Sequence, residues 1–264
     1  MSPGPEILIF SDLDGTLLDH ETYQWRAAEP ALARLRTMNA GLVLATSKTA
    51  AEVAPLRAEI GFSTWPAIVE NGGGLLEPGN QPTQDTSIYQ EIRAALRDLP
   101  QGFRGFGDMT NDEISALTGL SPQSAEHAKA RQFSEPGLWI GAEADFQRFT
   151  DAAREAGLFV QRGGRFTALS FGETKADRVV DLIKRYRPKH SIALGDAPND
   201  AEMLQWADIG IIVANRAGPD VPRLPGEDSG RIRRTEREGP DGWSDAVSEI
   251  LDEFSTKREP TFHG

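Results

Sequence analysis

The chain has 264 residues, of which 39% are hydrophobic and 26% are charged, a composition typical of globular proteins and not of disordered or fibrous ones. Its 28 basic and 40 acidic residues give a formal net charge of −12, which disfavours nucleic acid and anionic membranes as partners. The absence of cysteine excludes disulfide bonds, thiolate metal sites and cysteine nucleophiles. We therefore expect a cytoplasmic protein of one large domain or two modest ones.

The first part of the sequence alternates between predicted strands and helices. Short apolar runs with β-branched residues predict strands over Glu6–Phe10, Gly41–Ala45 and Ala67–Val69. Apolar residues at helical spacing predict a helix over Ala31–Met38, and a second helix is predicted over Ala50–Ile60. This order is typical of a parallel sheet covered by helices.

The pattern changes between about Pro82 and Ser170, where helices and strands no longer alternate regularly. This mixed order indicates an inserted α+β domain. The predicted helices span Ser87–Leu99, Asn111–Leu117, Pro122–Arg131 and Ala144–Ala156, and the predicted strands lie near Gly137–Gly141 and Gly164–Phe171.

The alternating pattern then resumes, so that one sheet is interrupted by an insertion. The elements predicted here are a helix over Lys175–Tyr186, a strand over Ser191–Leu194, a helix ending at Ala207, a strand over Ile209–Val213, a long loop over Pro219–Pro240 and a closing helix over Trp243–Phe254. The sequence therefore predicts an α/β fold with a Rossmann-like parallel sheet core, formed by residues 1–82 and 171–264, and an inserted α+β cap formed by residues 83–170.

Polar clusters follow four of the predicted strands. They are Asp12 and Asp14, then Thr46, Ser47 and Lys48, then Glu70 and Asn71, then Asp196, Asn199 and Asp200. Because parallel sheets bind ligands beyond the carboxyl ends of their strands, the four clusters are expected to converge on one site. Each cluster alone is also ordinary turn chemistry. Asp12 and Asp14 share a face if the strand continues through both, whereas Gly15 eases the bend if the chain turns there.

Converging carboxylates need a cation. Each close pair of like charges costs about 4 kcal/mol at an effective dielectric constant near 20. An all-oxygen set of ligands, without cysteine or a neighbouring histidine, favours Mg²⁺ over zinc. The alternatives are a purely stabilising cation site and a network of turns capped by Asn and Asp side chains.

The chemistry-bearing residues resemble the four motifs of the haloacid dehalogenase (HAD) superfamily of phosphatases. The matching residues are Asp12-Leu13-Asp14-Gly15-Thr16, Thr46, Lys175, and Gly195-Asp196 with Asn199-Asp200. The insertion, with Glu70-Asn71-Gly72-Gly73 just before it, resembles the cap arrangement of the sugar-phosphatase-like subfamily. Ala197 departs from the pattern, since relatives often have glycine there, and we expect it to be tolerated because it is not a ligand position.

Three further segments resemble the mannosyl-3-phosphoglycerate phosphatase family. They are Ala45-Thr46-Ser47-Lys48-Thr49, Arg131-Gln132-Phe133-Ser134-Glu135-Pro136 and Gly239-Pro240-Asp241-Gly242-Trp243. The resemblance implies hydrolysis of mannosyl- or glucosyl-3-phosphoglycerate to the glycosylglycerate, a compatible solute, and phosphate. The alternatives are a phosphatase of another sugar phosphate, a phosphomutase, and a non-catalytic protein that binds a phosphorylated metabolite.

The superfamily resemblance also implies roles for individual residues. Asp12 would be the nucleophile that forms an aspartyl-phosphate, and Asp14 would be the general acid and then the general base. Mg²⁺ would be bound by Asp12, the Asp14 backbone carbonyl and Asp196. Thr46 and Lys175 would bind the phosphate, although Thr46 could also cap the helix that begins at Ala50. The remaining predicted residues are Asn199 and Asp200, which would orient the metal's water, and the substrate contacts Ser47, Lys48, Asn71 and Arg131.

Overall fold

The computed structural model describes residues 4–79, 81–83, 85–163 and 165–256. Its strands are β1 (Ile7–Ser11), β2 (Ala40–Ala45), β3 (Ala67–Val69), β4 (Gly74–Leu76), β5 (Phe103–Gly105), β6 (Ser134–Trp139), β7 (Phe159–Arg162), β8 (Thr167–Ser170), β9 (His190–Gly195), β10 (Ile209–Ala214) and β11 (Ile232–Glu238). Its α-helices are α1 (Glu29–Thr37), α2 (Ala50–Glu59), α3 (Ser87–Arg97), α4 (Asn111–Thr118), α5 (Pro122–Lys129), α6 (Glu143–Glu155), α7 (Lys175–Tyr186), α8 (Ala201–Trp206) and α9 (Gly239–Thr256).

The chain divides into two compact units. The first unit comprises Met1–Ala45, Ile60–Phe62 and Val179–Gly264, and the second comprises Thr46–Glu59 and Ser63–Arg178. The domain boundaries expected from the sequence, with a cap over residues 83–170, stay a prediction.

The first unit contains parallel strands in the order β11-β10-β9-β1-β2. Every residue of β1 and β2 is buried, as expected for strands whose two faces are both covered. On β1, Ile7 is in register with Ala40 of β2 on one side and with His190 of β9 on the other. The strands β1, β9 and β10 are therefore neighbours, and their carboxyl ends lie at one edge of the sheet.

The second unit is built mainly from antiparallel strands and helices. β3 and β4 form an antiparallel pair, and β5, β6, β8 and β7 form an antiparallel sheet in that order. One apolar cluster is formed by residues of α3, α6 and β8, including Ile92, Phe149 and Leu169. A second cluster includes Ile114 of α4 and Ala125 of α5. The predicted α/β class with an α+β insertion is confirmed.

Most predicted elements match within a few residues, and α7 matches at both ends. The strands β4, β5, β7 and β11 were not predicted, and the expected loop over Pro219–Pro240 is wrong where β11 lies. The reason is that β11 reads IRRTERE and buries only Ile232. It lies at the end of the strand order, and edge strands often carry charged side chains in place of an apolar pattern.

Two predicted strands of the cap region have different bounds. The strand expected over Gly137–Gly141 is β6 (Ser134–Trp139), which includes Pro136 paired with Ala168, and proline within a run masks the signal of a strand. The strand expected over Gly164–Phe171 is β8, and Gly164 itself lies outside the described residues. Within the described part of the chain, no helix combines the length and the apolar character needed to span a bilayer.

Candidate active site

The chain turns sharply directly after β1. The Asp12 N–H donates to the Leu194 carbonyl at 2.9 Å, and the Thr16 and Leu18 N–H groups then both donate to the Leu13 carbonyl. Gly15 has φ +82°, and a Cβ there would lie 2.4 Å from Asn215 Nδ2. The second of the two sequence expectations is therefore confirmed: the strand does not continue through Asp14, and glycine permits the bend.

Three buried carboxylates come together in the first unit. Asp12, Asp196 and Asp200 each have a carboxylate oxygen within 4.8 Å of those of the other two. Their exposed fractions are 8%, 6% and 0%. Three charges this close, sheltered from water, are stable only with a compensating cation or protons. The set consists of carboxylate oxygens alone, which fits a hard divalent cation.

Asp196 is oriented by two neutral side chains. Thr16 Oγ1 donates to Asp196 Oδ1 at 2.7 Å, and Asn215 Nδ2 donates to Asp196 Oδ2 at 2.7 Å. Asn215 is itself held because its Oδ1 accepts the N–H groups of Ala217 and Gly218, both at 3.1 Å. Sequence reasoning missed Asn215, although it is a polar residue directly after β10 and so carries the same signal as the four clusters that were identified.

Asp200, Asn199 and Asp14 differ in their exposure to solvent. Asp200 is fully buried, and its Oδ2 accepts the Ala197 N–H at 3.2 Å. Gly195 is packed so tightly that a Cβ there would lie 2.5 Å from Asp200 Cβ. Asn199 is exposed, and Asp14 is half-buried in the turn after β1. The cluster of carboxylates within 4.8 Å of one another consists of Asp12, Asp196 and Asp200, without Asp14.

Thr46 begins the second unit and is almost fully buried. Its N–H donates to the Ile68 carbonyl at 3.0 Å, and its carbonyl accepts the Asn71 N–H at 2.9 Å. Thr46 does not cap α2, which was the alternative role that the sequence left open for it. Thr49 caps that helix, since its Oγ1 accepts the Glu52 N–H at 3.2 Å while Glu52 Oε2 accepts the Thr49 N–H at 2.9 Å.

The segment after β3 has an unusual backbone. Glu70, Asn71 and Gly72 have successive φ values of +50°, +57° and +105°, a left-handed conformation that costs non-glycine residues about 1–2 kcal/mol each. Gly72 lies against the start of α7, because a Cβ there would be 2.1 Å from the Thr174 carbonyl carbon. The Gly72 carbonyl also accepts from Arg178 Nε at 2.9 Å.

This packing brings Asn71 and Lys175 to adjacent segments of the second unit. Lys175, the first residue of α7, is 4% exposed. Asn71 Oδ1 is buried and has no hydrogen-bond partner among the described residues. Thr46, Asn71 and Lys175 therefore lie on contacting segments of the second unit, as the acidic residues do in the first unit. The convergence of all four strand-end clusters on one site stays a prediction.

The remaining predicted substrate contacts are Ser47, Lys48 and Arg131, and a hydrogen bond joins Arg131 to the Ser47 backbone. Arg131 Nη1 donates to the Ser47 carbonyl at 2.8 Å, and Arg131 Nε donates to the Ala128 carbonyl at 2.8 Å. Ser47 is exposed and Lys48 is half-buried. The guanidinium is therefore fixed beside the loop that carries Ser47 and Lys48.

The sequence placed Glu70 in one of the four polar clusters but gave it no individual role, and its carboxylate organises this region. Glu70 is 2% exposed. Its Oε1 accepts the Gln132 N–H at 2.9 Å, and its Oε2 accepts the Phe133 N–H at 3.1 Å and the Ser134 hydroxyl at 2.7 Å. One buried side chain thus holds three consecutive residues next to Arg131. Two of its three partners are backbone groups, which leave no signature in a sequence.

A second buried carboxylate, Glu135, follows directly. Its Oε1 accepts from Arg93 Nη1 at 2.9 Å and from the Gly107 N–H at 2.8 Å. Burial raises the pKa of Glu135 above its usual value, and the hydrogen bonds and the Arg93 charge oppose this shift without cancelling it. Neither Glu135 nor Arg93 was predicted as a site residue.

Comparison with known proteins decides the family. A family model described as haloacid dehalogenase-like hydrolase matches residues 9–114 and 143–219, which is more than half of the chain. The chain belongs to this family. It is 35% identical over 272 residues to the glucosyl-3-phosphoglycerate/mannosyl-3-phosphoglycerate phosphatase of Persephonella marina, with 94% of this chain and 98% of that protein covered.

These matches confirm the resemblance to the HAD superfamily and to its mannosyl-3-phosphoglycerate phosphatase family, and they identify the chain as a phosphoric monoester hydrolase. Solved structures with the same fold include a Thermoplasma acidophilum protein, 16% identical with a TM-score of 0.63 and 94% and 97% of the two chains covered. They also include the Synechocystis sucrose-phosphatase in complex with sucrose and phosphate, 16% identical with a TM-score of 0.62 and 93% and 98% covered.

Proposed function

We propose that this HAD hydrolase is a Mg²⁺-dependent phosphatase that converts mannosyl-3-phosphoglycerate or glucosyl-3-phosphoglycerate to the glycosylglycerate and phosphate. The product would be a compatible solute. The observation that carries the proposal is the buried cluster of Asp12, Asp196 and Asp200, in a chain that aligns along most of its length with a phosphatase named for these two substrates.

Asp12 and Asp14 divide the chemistry between them. A carboxylate oxygen of Asp12 attacks phosphorus, and the bond from phosphorus to the glycerate oxygen breaks. Asp14 donates its proton to that leaving oxygen and becomes a carboxylate. Asp14 then takes a proton from the water that attacks the aspartyl-phosphate, which releases phosphate and restores Asp12. The turn after β1 supports two different roles, since Asp12 is buried and Asp14 is half-buried.

Asp12, Asp196 and the Asp14 backbone carbonyl are the proposed ligands of Mg²⁺. The bound cation would offset repulsion between the Asp12 carboxylate and the substrate phosphate and would stabilise charge on the transferring group. Asp200 and Asn199 are proposed to orient the metal's water. The hydrogen bonds from Thr16 and Asn215 support the role of Asp196 as a ligand, because they fix both of its carboxylate oxygens.

Thr46 and Lys175 are proposed to bind phosphoryl oxygens as a hydroxyl donor and a point charge. A chain with a net charge of −12 repels an anionic substrate unless donors of this kind act locally. Asn71 is proposed as a further substrate contact, because its buried Oδ1 has no hydrogen-bond partner among the described residues and can accept from a hydroxyl group of the substrate.

Arg131, Lys48 and Ser47 are proposed to recognise the glycerate part of the substrate. A guanidinium matches the geometry of a carboxylate, and the hydrogen bond from Arg131 to the Ser47 carbonyl supports a common location for these residues.

Phosphate release tests the proposal directly. The protein is incubated with Mg²⁺ and, in parallel, with mannosyl-3-phosphoglycerate, glucosyl-3-phosphoglycerate and glucose 6-phosphate, and an EDTA arm removes the cation. We expect rapid release from one or both glycosyl-phosphoglycerates, slow release from glucose 6-phosphate and none with EDTA. Rapid release from glucose 6-phosphate alone would overturn the substrate assignment. No release from any phosphomonoester would indicate a binding protein.

A further inference from the structure

The start of α9 contacts the strand that leads to the proposed nucleophile. This segment, Gly239-Pro240-Asp241-Gly242-Trp243, has no role in the proposed reaction. Trp243 is fully buried, and its indole Nε1 donates to Ser11 Oγ at 2.9 Å. The Ser11 hydroxyl in turn donates to the backbone carbonyl of Asp12 at 2.7 Å. Two consecutive hydrogen bonds therefore connect the indole to the backbone of Asp12.

The indole is held in place by close packing of its own segment. A Cβ on Gly242 would lie 2.0 Å from the Arg237 carbonyl oxygen, so glycine is needed for α9 to approach the end of β11. The same carbonyl accepts the Thr235 hydroxyl at 2.7 Å, and Thr235 Oγ1 accepts the Ala214 N–H at 2.9 Å. The first turn of α9 therefore packs against the end of β11, and these hydrogen bonds join that part of β11 to the end of β10.

The two peptide groups that flank the Asp12 Cα are both held. The Asp12 N–H is bound by the Leu194 carbonyl of β9, and the Asp12 carbonyl is bound by the Ser11 hydroxyl. A hydroxyl has one hydrogen to donate, and its lone pairs accept. Because the indole N–H occupies a lone pair of Ser11 Oγ, the hydroxyl hydrogen stays directed at the Asp12 carbonyl.

We propose that Trp243 and Ser11 are positioning residues that fix the direction of the Asp12 side chain for attack on phosphorus. Neither residue carries a group that reacts. The orientation of a nucleophile matters because a displacement of about 1 Å can cost about 100-fold in rate. This inference rests on the proposed function of Asp12 as the nucleophile.

A double-mutant cycle tests the inference. kcat and KM are measured with p-nitrophenyl phosphate and Mg²⁺ for Trp243→Phe, Ser11→Ala and the double variant. Trp206→Phe is the matched control, since Trp206 is 61% exposed on α8. We expect each single variant to lower kcat about 3- to 10-fold with KM changed less than about 2-fold. The double variant should lower kcat no further than the more impaired single variant, because both side chains act through one hydrogen-bonded chain.

Two results would overturn the inference: effects on kcat that multiply in the double variant, or an unchanged kcat in Ser11→Ala. If Trp243→Phe does not fold, Ser11→Ala alone decides, because it removes a single oxygen. An aryl phosphate makes the result independent of the natural substrate. Full turnover in Asp12→Asn would show that Asp12 is not the nucleophile, and this inference would fail with the proposed function. If Asp12→Asn is inactive but the effects of Trp243→Phe and Ser11→Ala on kcat multiply in the double variant, only the positioning role is contradicted.

Discussion

The two units hold their proposed functional residues in different ways. In the first unit, the Asp196 carboxylate at the end of β9 is fixed by side-chain hydrogen bonds from Thr16 and Asn215. In the second unit, Thr46 and Asn71 are joined through backbone groups, and Gly72 packs backbone against backbone at the start of α7.

The difference has a physical reason. Clustered carboxylates repel one another, so each needs a neighbouring donor or a cation to keep its orientation. The Thr46 hydroxyl is neutral and therefore needs no such compensation of charge. We therefore expect the first unit to be sensitive to the loss of single side chains that orient its carboxylates. We expect the second unit to be sensitive to substitutions that change its backbone conformation.

The largest expected effect is that of Asp12→Asn. We expect kcat to fall by about 10⁴-fold, because the amide is a poor nucleophile and the covalent route is lost. Without Mg²⁺ the melting temperature should rise, because one of three clustered negative charges is removed. Phosphate release and thermal unfolding in EDTA measure the two effects. A lower melting temperature in EDTA would show that the carboxylates do not repel one another as the comparison requires.

Gly72→Ala tests the backbone-held region. We expect it to lower the free energy of unfolding by about 3 kcal/mol, because a Cβ would overlap the Thr174 carbonyl at a φ of +105°. Gly119→Ala is the matched control, since Gly119 has φ +78° with nothing within 4 Å of a Cβ. Its cost should be limited to backbone strain, about 1 kcal/mol. The free energy of unfolding is measured in urea. Equal losses of this free energy in the two variants would refute a packing role for Gly72.

Asn215→Ala tests the side-chain-held region. Loss of the donor to Asp196 should raise the Mg²⁺ concentration for half-maximal activity by about 10- to 100-fold, as is typical of residues that orient metal ligands. Activity at saturating Mg²⁺ should stay within about 3-fold of the wild type. Titration of activity with Mg²⁺ measures both values. An unchanged half-saturation concentration with a lower maximum would mean that Asn215 acts on the reaction and not on the cation.

The acidic cluster was accessible to sequence reasoning because its signal is local. Asp12, Asp196 and Asp200 each follow a predicted strand, and neighbouring parallel strands end at the same edge of a sheet. Asn215 carried the same signal after β10 and could have been found by the same rule. The parallel sheet was predictable for a related reason, since β1 and β2 are buried runs of apolar residues.

The second unit was harder to predict because its decisive contacts are not local. Glu70 lies 62 to 64 positions before the residues that it binds, and two of the three donors are backbone N–H groups. The strand β11 was missed because it carries charges in place of an alternating apolar pattern.

Glu70→Gln gives the smallest of the four effects. The substitution keeps the shape of the side chain but places an NH₂ group where a carboxylate oxygen accepted hydrogen bonds from Gln132, Phe133 or Ser134. We expect the free energy of unfolding to fall by about 2 kcal/mol, since a buried donor loses its acceptor. Because Arg131 is adjacent to these donors, KM for the glycosyl-phosphoglycerate should rise more than KM for p-nitrophenyl phosphate.

Glu91→Gln is the matched control, because Glu91 is exposed on α3 and the same change there should alter neither stability nor KM. The ratio of the two KM values separates the possible outcomes. A loss of stability with equal changes of KM for both substrates would mean that Glu70 supports the fold of the second unit without reaching Arg131. A selective rise for the larger substrate would show that one buried carboxylate controls recognition through the backbone.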